Sequence, residues 1–400
     1  MSILDWLSTG LWDLSAWGIV AYMAVMTHIT IVTVTVYLHR HSAHRAVDLH
    51  PLLQHFFRFW SWMTTGMITK EWTAIHRKHH VACETEEDPH SPVIQGLSKI
   101  LWQGADVYRE ASAKPEIMER YGSGCPEDWL ENNLYGRFNY IGVAILLIIN
   151  VVLFGAIGLT LWAIQMIWIP FFGAGVINGI GHVWGYRNYE CPDAATNIVP
   201  WGIFIGGEEL HNNHHTYPNS AKFSQKWWEF DLGWMWLRIF QVFGLAQPKS
   251  TGPVAAKVPG KTTLDMDTAW AVLNDRFRLM AKYQNDVVKP LIKLEYDKAD
   301  HATRDLLRRA RTILCREDSL VDAAGREKIT KIVESSRDIQ VIYEMRMRLQ
   351  EIWAKRGGNA EELLNALVQW CRDAEATGMQ TLRDFVSELK SYSVPQLAKA

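Results

Sequence analysis

Residues 16–44 read AWGIVAYMAVMTHITIVTVTVYLHRHSAH. Through residues 16–38 the only titratable group in the apolar core is His28, and then His39, His41 and His44 follow in quick succession. Crossing a bilayer takes about 20 apolar residues of helix, so the first part is long enough to span. The second part puts imidazoles where a spanning helix leaves the hydrocarbon. An apolar helix that ends in a cluster of potential metal ligands is the element on which this fold is built.

Two more apolar runs lie almost end to end, YIGVAILLIINVVLFGAIGLT and LWAIQMIWIPFFGAGVINGIG, over 140–160 and 161–181. Gly155, Gly158 and Thr160 mark the tight turn between them. The remaining apolar run, LLQHFFRFWSWMTTGMIT from 52 to 69, contains His55 and Arg58. From 246 to 262 the composition changes to a Pro/Gly/Ala/Lys linker. Polar helices with N-cap signals follow: Asp265 and Asp267 before AWAVLNDRF, Ser335 and Ser336 before IQVIYEM, Asn359 before ELLNALVQW. The expected architecture is all-α: a membrane-embedded domain over 1–245, a linker over 246–262 and a soluble helical domain over 263–400.

Composition narrows the classes. The net charge of −2 offers no whole-chain attraction for nucleic acid, and no nucleic-acid partner is expected. Five cysteines at 83, 125, 191, 315 and 371 are odd in number and widely spread, which reads as reduced thiols rather than a disulfide framework. No removable signal peptide is apparent at the start.

Histidine spacing carries the chemistry. All 15 histidines except His301 fall in the first 215 residues. His76, His79 and His80 share one helical face by i, i+3 and i+4, and so do His211, His214 and His215. His39 and His44 are five apart, roughly 140° around an ideal helix, and converge more easily where the helix ends. Two triplets and a pair exceed the four ligands of one zinc, so two metals are implied. Imidazole suits iron, copper, zinc or nickel. Taken alone, one His-x-x-His-His is as readily a solvated helix face; three groups beside apolar segments are not. Glu208 and Glu87, each three residues before a histidine, mimic half of a carboxylate di-iron motif, but the further glutamates it needs are missing. His41 reads as a supporting or surface residue, and His28 as a hydrogen-bonded interior one.

With HRHSAHRAVDL, IHRKHHVACETEEDPHS, NGIGHVWGYRNYE and ELHNNHHTYPNS in order, the chain resembles membrane fatty-acyl desaturases of the stearoyl-CoA desaturase type, proteobacterial members above all. The resemblance covers residues 16 to 245. It implies a non-haem di-iron centre that uses dioxygen and two external electrons to desaturate a fatty-acyl substrate. By position, one iron falls to His79, His182, His211 and His215, with a water held by Asn178. The other falls to His39, His44, His76, His80 and His214. Trp72 matches a tryptophan that shapes the kink of the bound chain, while its two companions are Gly66 and Ala174 here. The basic residues that grip coenzyme A in animal members are replaced around Ala74, Ile75 and Ser91, so acyl-CoA and membrane phospholipid both stand as carriers. The family usually has two spans before the first box, and one fits here. With no dinucleotide fingerprint, iron–sulfur cysteines or fused haem motif in the chain, electrons are expected from a separate ferredoxin- or flavin-type reductase. Other readings are an iron-dependent lipid hydroxylase, separated by its alcohol product, and a transmembrane haem-b carrier, separated by visible haem absorption.

Topology follows from the shared metals. If 52–69 crossed the bilayer, the first two histidine groups would stand roughly 30 Å apart. That segment is therefore expected to be interfacial or re-entrant, with Arg58 snorkelling toward head groups. Arg40, Arg45, Arg77 and Lys78 place the histidines on the cytoplasmic side of the inner membrane.

Overall fold

Ser15 starts the first long helix by accepting a hydrogen bond from Gly18 N at 3.2 Å. This helix, α2 (Ala16–Ala43), follows a short α1 (Ile3–Thr9) and runs for 28 residues, about 42 Å. Its first half exposes Trp17, Val20 and Val25, and from Thr30 onward nearly every side chain is buried. Thr30 and Thr33 hydroxyls donate back to Met26 O and Ile29 O, a competition that loosens helix winding. Over Thr33–Ala43 the bonding becomes i→i+5, and His44 N donates to His39 O at 3.1 Å. That wider π winding brings residues five apart onto one face.

The structure, a computed structural model, describes residues 2–308, 310–354 and 360–395. Among them the fold is all-α, with strands confined to pairs two or three residues long. The chain divides into two units: residues up to Arg187 with Asp193–Gly252, and Asn188–Pro192 with everything from Pro253.

In the first unit β1 (Val47–Leu49) leads into α3 (Pro51–Thr64), whose first turn is capped by His50. With 14 residues α3 spans about 21 Å, and it is not among the helices long and apolar enough to cross a membrane. Arg58 departs from the snorkelling expectation. It is 5% exposed and bonds both Asp128 oxygens at 2.6 and 2.7 Å and Glu131 at 2.9 Å. Carboxylates from the 128–131 segment supply the counter-charge that a buried guanidinium requires, so it has no need of a lipid phosphate.

Next come α4 (Thr69–Ala82), a single turn α5 (Pro92–Gln95), α6 (Leu97–Ser112) and α7 (Pro115–Tyr121). Ala74 and Ile75 of α4 pack with Ala111 and Ile117. The apolar hairpin is α8 (Asn139–Phe154) and α9 (Ile157–Ile180). It turns at Gly155, φ 64°, the first of the three residues expected to mark the turn. A Cβ on Gly158 would sit 2.1 Å from Asn150 O, so only glycine lets the two helices close. Thus α2 and α9 are the two described helices long and apolar enough to span, with α8 a shorter apolar helix of 16 residues.

The third histidine box forms α10 (His211–Thr216), and α11 (Leu232–Val242) follows with Asp231 as its cap. β2 (Trp201–Gly202), before α10, pairs in parallel with β3 (Phe230–Asp231), just before α11. Asp231 also meets Arg40 at 2.8 Å, both side chains fully buried, which ties the end of α2 to this segment. Residues 246–248 of the expected linker form β4 and pair antiparallel with β1.

The second unit is helical around Tyr283, Ile339, Ile342, Leu349, Trp370 and Phe385. Tyr283 OH and Trp370 Nε1 each donate to a backbone carbonyl, of Ile342 and Met345, at 2.8 Å. Ala256–Lys257, also in the expected linker, pairs with Tyr392–Ser393. Asp265 caps Met266–Asn274 in a reciprocal box with Thr268, and Ser336 Oγ accepts from Ile339 N at 3.5 Å. Asn359 lies outside the described residues.

Candidate metal centre

Five imidazoles from three segments meet at the end of α2. Ligand nitrogens of His39, His44, His76, His80 and His214 lie within 4.8 Å of one another. The Nε2 atoms form a chain of close pairs: His39–His214 3.0 Å, His214–His80 2.9 Å, His80–His76 3.1 Å and His76–His44 2.8 Å. Hydrogen bonds do not account for this. Nδ1 of His39 faces Glu208 Oε2 at 2.6 Å, and with the shared proton on Nδ1 its Nε2 is a bare lone pair. Nε2 of His214 and of His76 each face two other Nε2 atoms. Nitrogens about 2.1 Å from one cation stand about 3.0 Å apart when they subtend a right angle, which matches the spacing. The donor set fits a metal ion.

A second group gathers beside it. Ligand atoms of His79, Cys83, His182 and His215 lie within 4.8 Å of one another, and Nε2 of His211 is 3.0 Å from that of His182. His79 also belongs to a set with Asp88 and His90. Rear nitrogens are held by carboxylates: His79 Nδ1 by Asp88 at 3.0 Å, His182 Nδ1 by Glu84 at 3.2 Å, His215 Nδ1 by Asp193 at 3.3 Å. Each such bond fixes the tautomer and aims Nε2 inward. Burial lowers the pKa of His44, His76, His80, His211, His214 and His215 well below the usual range, so the neutral, metal-binding form is the stable one.

Local structure explains the placement. On α4 the i, i+3, i+4 spacing puts His76 and His80 into the first group and His79 into the second. On α10 it sends His214 to the first group and leaves His211 and His215 with the second. The i→i+5 winding of α2 carries His39 and His44 together. Asn178, in the last turns of α9, lines the same cavity as His211. His41 stays outside both groups, its Nδ1 2.9 Å from Val47 O, and His28 accepts from Trp236 Nε1 at 2.8 Å.

A cavity of about 570 Å³ runs past the first group. Its wall includes Trp72, His76, Gly66, Ala174, Val143 and Met166, mostly apolar and open to the histidines. Trp72 stacks on His76 at 4.8 Å, the rings 11° apart.

Residues 15–238 match the family model of fatty acid desaturases. The chain belongs to that family. Among its relatives are Delta-9 acyl-lipid desaturase 1 of Arabidopsis thaliana, 29% identical over 53% of this chain and 69% of the relative. The sn-1 stearoyl-lipid 9-desaturase of Anabaena variabilis is 28% identical over 53% and 76%. Delta-9 desaturase-like 3 protein of Arabidopsis thaliana is 29% identical over 58% and 76%. The match ends before Pro253, where the main part of the second unit begins, and residues 267–397 match a family model described as transposase. In the desaturase unit, sequence reasoning found the histidines and missed Glu84, Asp88, Asp193 and Glu208. Glu208 did attract notice as a neighbour of His211, yet it serves His39. No spacing rule signals a carboxylate that reaches a histidine from a remote segment.

Proposed function

We propose that this desaturase introduces a cis double bond, at the Δ9 position, into a saturated acyl chain esterified to a membrane lipid. Two irons would be held by the nine histidines grouped above, with dioxygen as co-substrate. The carrying observation is that His39 and His76 of the five-histidine group stand on the wall of a mostly apolar cavity. When bound, the irons would supply the oxygen-dependent chemistry in which two hydrogens from adjacent methylenes, with two electrons and two protons from outside, reduce one O₂ to two waters. The chain's own part is binding and exclusion. The apolar wall takes a saturated chain out of water, Trp72 and His76 form one flat stacked surface against it, and Gly66 and Ala174 leave room for it to bend.

Support for a lipid carrier comes from two directions. The relatives named above include acyl-lipid and stearoyl-lipid enzymes. Where coenzyme A contacts are expected, Ala74 and Ile75 are buried in the α4–α6–α7 packing, and Ser91 caps α5 by accepting from Ile94 N. Neither offers a cation to a phosphate. A cytoplasmic-membrane location, histidines facing the cytoplasm and a separate ferredoxin- or flavin-type donor complete the reading.

Mass spectrometry of lipids from a host with defined fatty acids, expressing this chain, is the test. Alkene at C9 in esterified chains is expected. Hydroxylated products would replace desaturation by hydroxylation. Purified protein with a competent donor, acting on acyl-CoA alone, would overturn the carrier.

A further inference from the structure

Cys83 stands one helical turn beyond His79, on the same face of α4, at the position where the backbone leaves the helix (φ −49°, ψ 126°). Its Sγ is 3.9 Å from His79 Nε2 and within 4.8 Å of the ligand nitrogens of His182 and His215. Resting on the metal centre proposed above, we propose that Cys83 is itself a ligand of the metal held by His79, His182, His211 and His215.

An independent observation points the same way. His215 has a side chain 1% exposed, its Nδ1 is committed to Asp193, and its Nε2 has no protein partner. His215 belongs to the same four-residue group as Cys83, and with Nδ1 turned to Asp193 the unpartnered, buried Nε2 is the nitrogen left to serve that group. The geometry also suits one ion. Donors about 2.1 Å (nitrogen) and 2.3 Å (sulfur) from a shared metal stand about 3.1 to 3.8 Å apart as the angle opens from a right angle to a trigonal one. The measured 3.9 Å lies just past the trigonal limit, at an angle of about 125° for the same bond lengths.

The chain around Cys83 is pinned to the same ligands. Glu84, in the left-handed region at φ 62°, accepts from His182 Nδ1 at 3.2 Å and from Ala194 N at 2.6 Å. Asp88 accepts from Glu84 N at 2.8 Å while holding His79 Nδ1. The backbone that carries the thiol cannot move away from the group without releasing the carboxylates that orient its histidines.

Ligation exchanges a proton for the metal: Cys–SH and M²⁺ give Cys–S–M⁺ and H⁺. One negative, soft donor joins a set of neutral imidazoles. An anionic ligand favours the more positive state of the metal, so the two metals of the centre become chemically unequal.

X-ray absorption on the full-length, zinc-loaded protein tests this. A sulfur neighbour at about 2.3 Å is expected, one for every two metals. In Cys83→Ser and in Cys83→Ala that shell should vanish while elemental analysis still counts two metals per chain. Cobalt-loaded protein should show a near-ultraviolet sulfur-to-metal band that both variants lose. Two metals with nitrogen and oxygen neighbours only, or a sulfur shell that survives both substitutions, overturns Cys83 as a ligand and leaves the histidine centre standing. One metal or none removes the centre itself and this assignment with it.

Discussion

Glu208 Oε2 lies 2.6 Å from His39 Nδ1, and Thr35 Oγ1 donates to Oε1 of the same carboxylate at 2.7 Å. Two residues of the first long helix thus grip the segment that precedes the third histidine box. The bond forces His39 into the tautomer whose Nε2 is a lone pair facing four other imidazoles. Glu208→Gln keeps the shape and loses the charge. Carboxylates in this position typically contribute 10- to 100-fold in metal affinity. A loss of that order is expected in chelator competition, with helix content unchanged by circular dichroism. Unaltered affinity would mean the carboxylate is only a structural tie.

His79→Ala should abolish turnover, because His79 sits among the ligand atoms of the second group. His41→Ala should leave substantial activity. It removes one hydrogen bond to Val47 O, about 1 kcal/mol of stability, and no group member. Comparable losses of turnover would place His41 in the centre.

Arg58 should prove a structural residue. Arg58→Met leaves Glu131, 6% exposed, without its cation. Breaking such a pair costs about 3–5 kcal/mol, read as a fall in unfolding temperature in detergent. Adding Glu131→Gln should recover part of it. A cost below about 0.5 kcal/mol, typical of surface positions, would indicate an arginine that faces lipid head groups instead.

Topology has its own test. The first two histidine groups lie within one cluster, and α3 between them is too short to cross a core of roughly 30 Å. With an impermeant thiol reagent on intact cells, Ser2→Cys should label, while Asp48→Cys and Thr85→Cys should not. Labelling at 48 without labelling at 85 would mean that α3 crosses, and a shared centre would have to be given up.

Metal content checks the stoichiometry. Anaerobic iron loading should give about two irons per chain, as expected from two separate groups of five and four imidazoles, each enough for one four-ligand ion. One iron, or a haem spectrum, would remove the paired centre.

What the sequence determined by itself was whatever depends on neighbours along one helix. Long apolar runs make an all-α membrane protein because only helices satisfy their own backbone in lipid. The i, i+3, i+4 spacing of His76, His79 and His80 and of His211, His214 and His215 gathers imidazoles wherever those helices lie. Tertiary structure decided what depends on partners far away. Arg58 looked like a snorkelling residue because its own segment holds no counter-charge; Asp128 and Glu131 arrive from about seventy positions on. His39 and His44 join one group because α2 widens its winding, a local change that hydropathy does not encode. Glu84, Asp88, Asp193 and Glu208 acquire their roles only when folding brings each carboxylate to the back of one imidazole. A carboxylate's chemistry is written in its residue type, but the nitrogen it orients is chosen by packing.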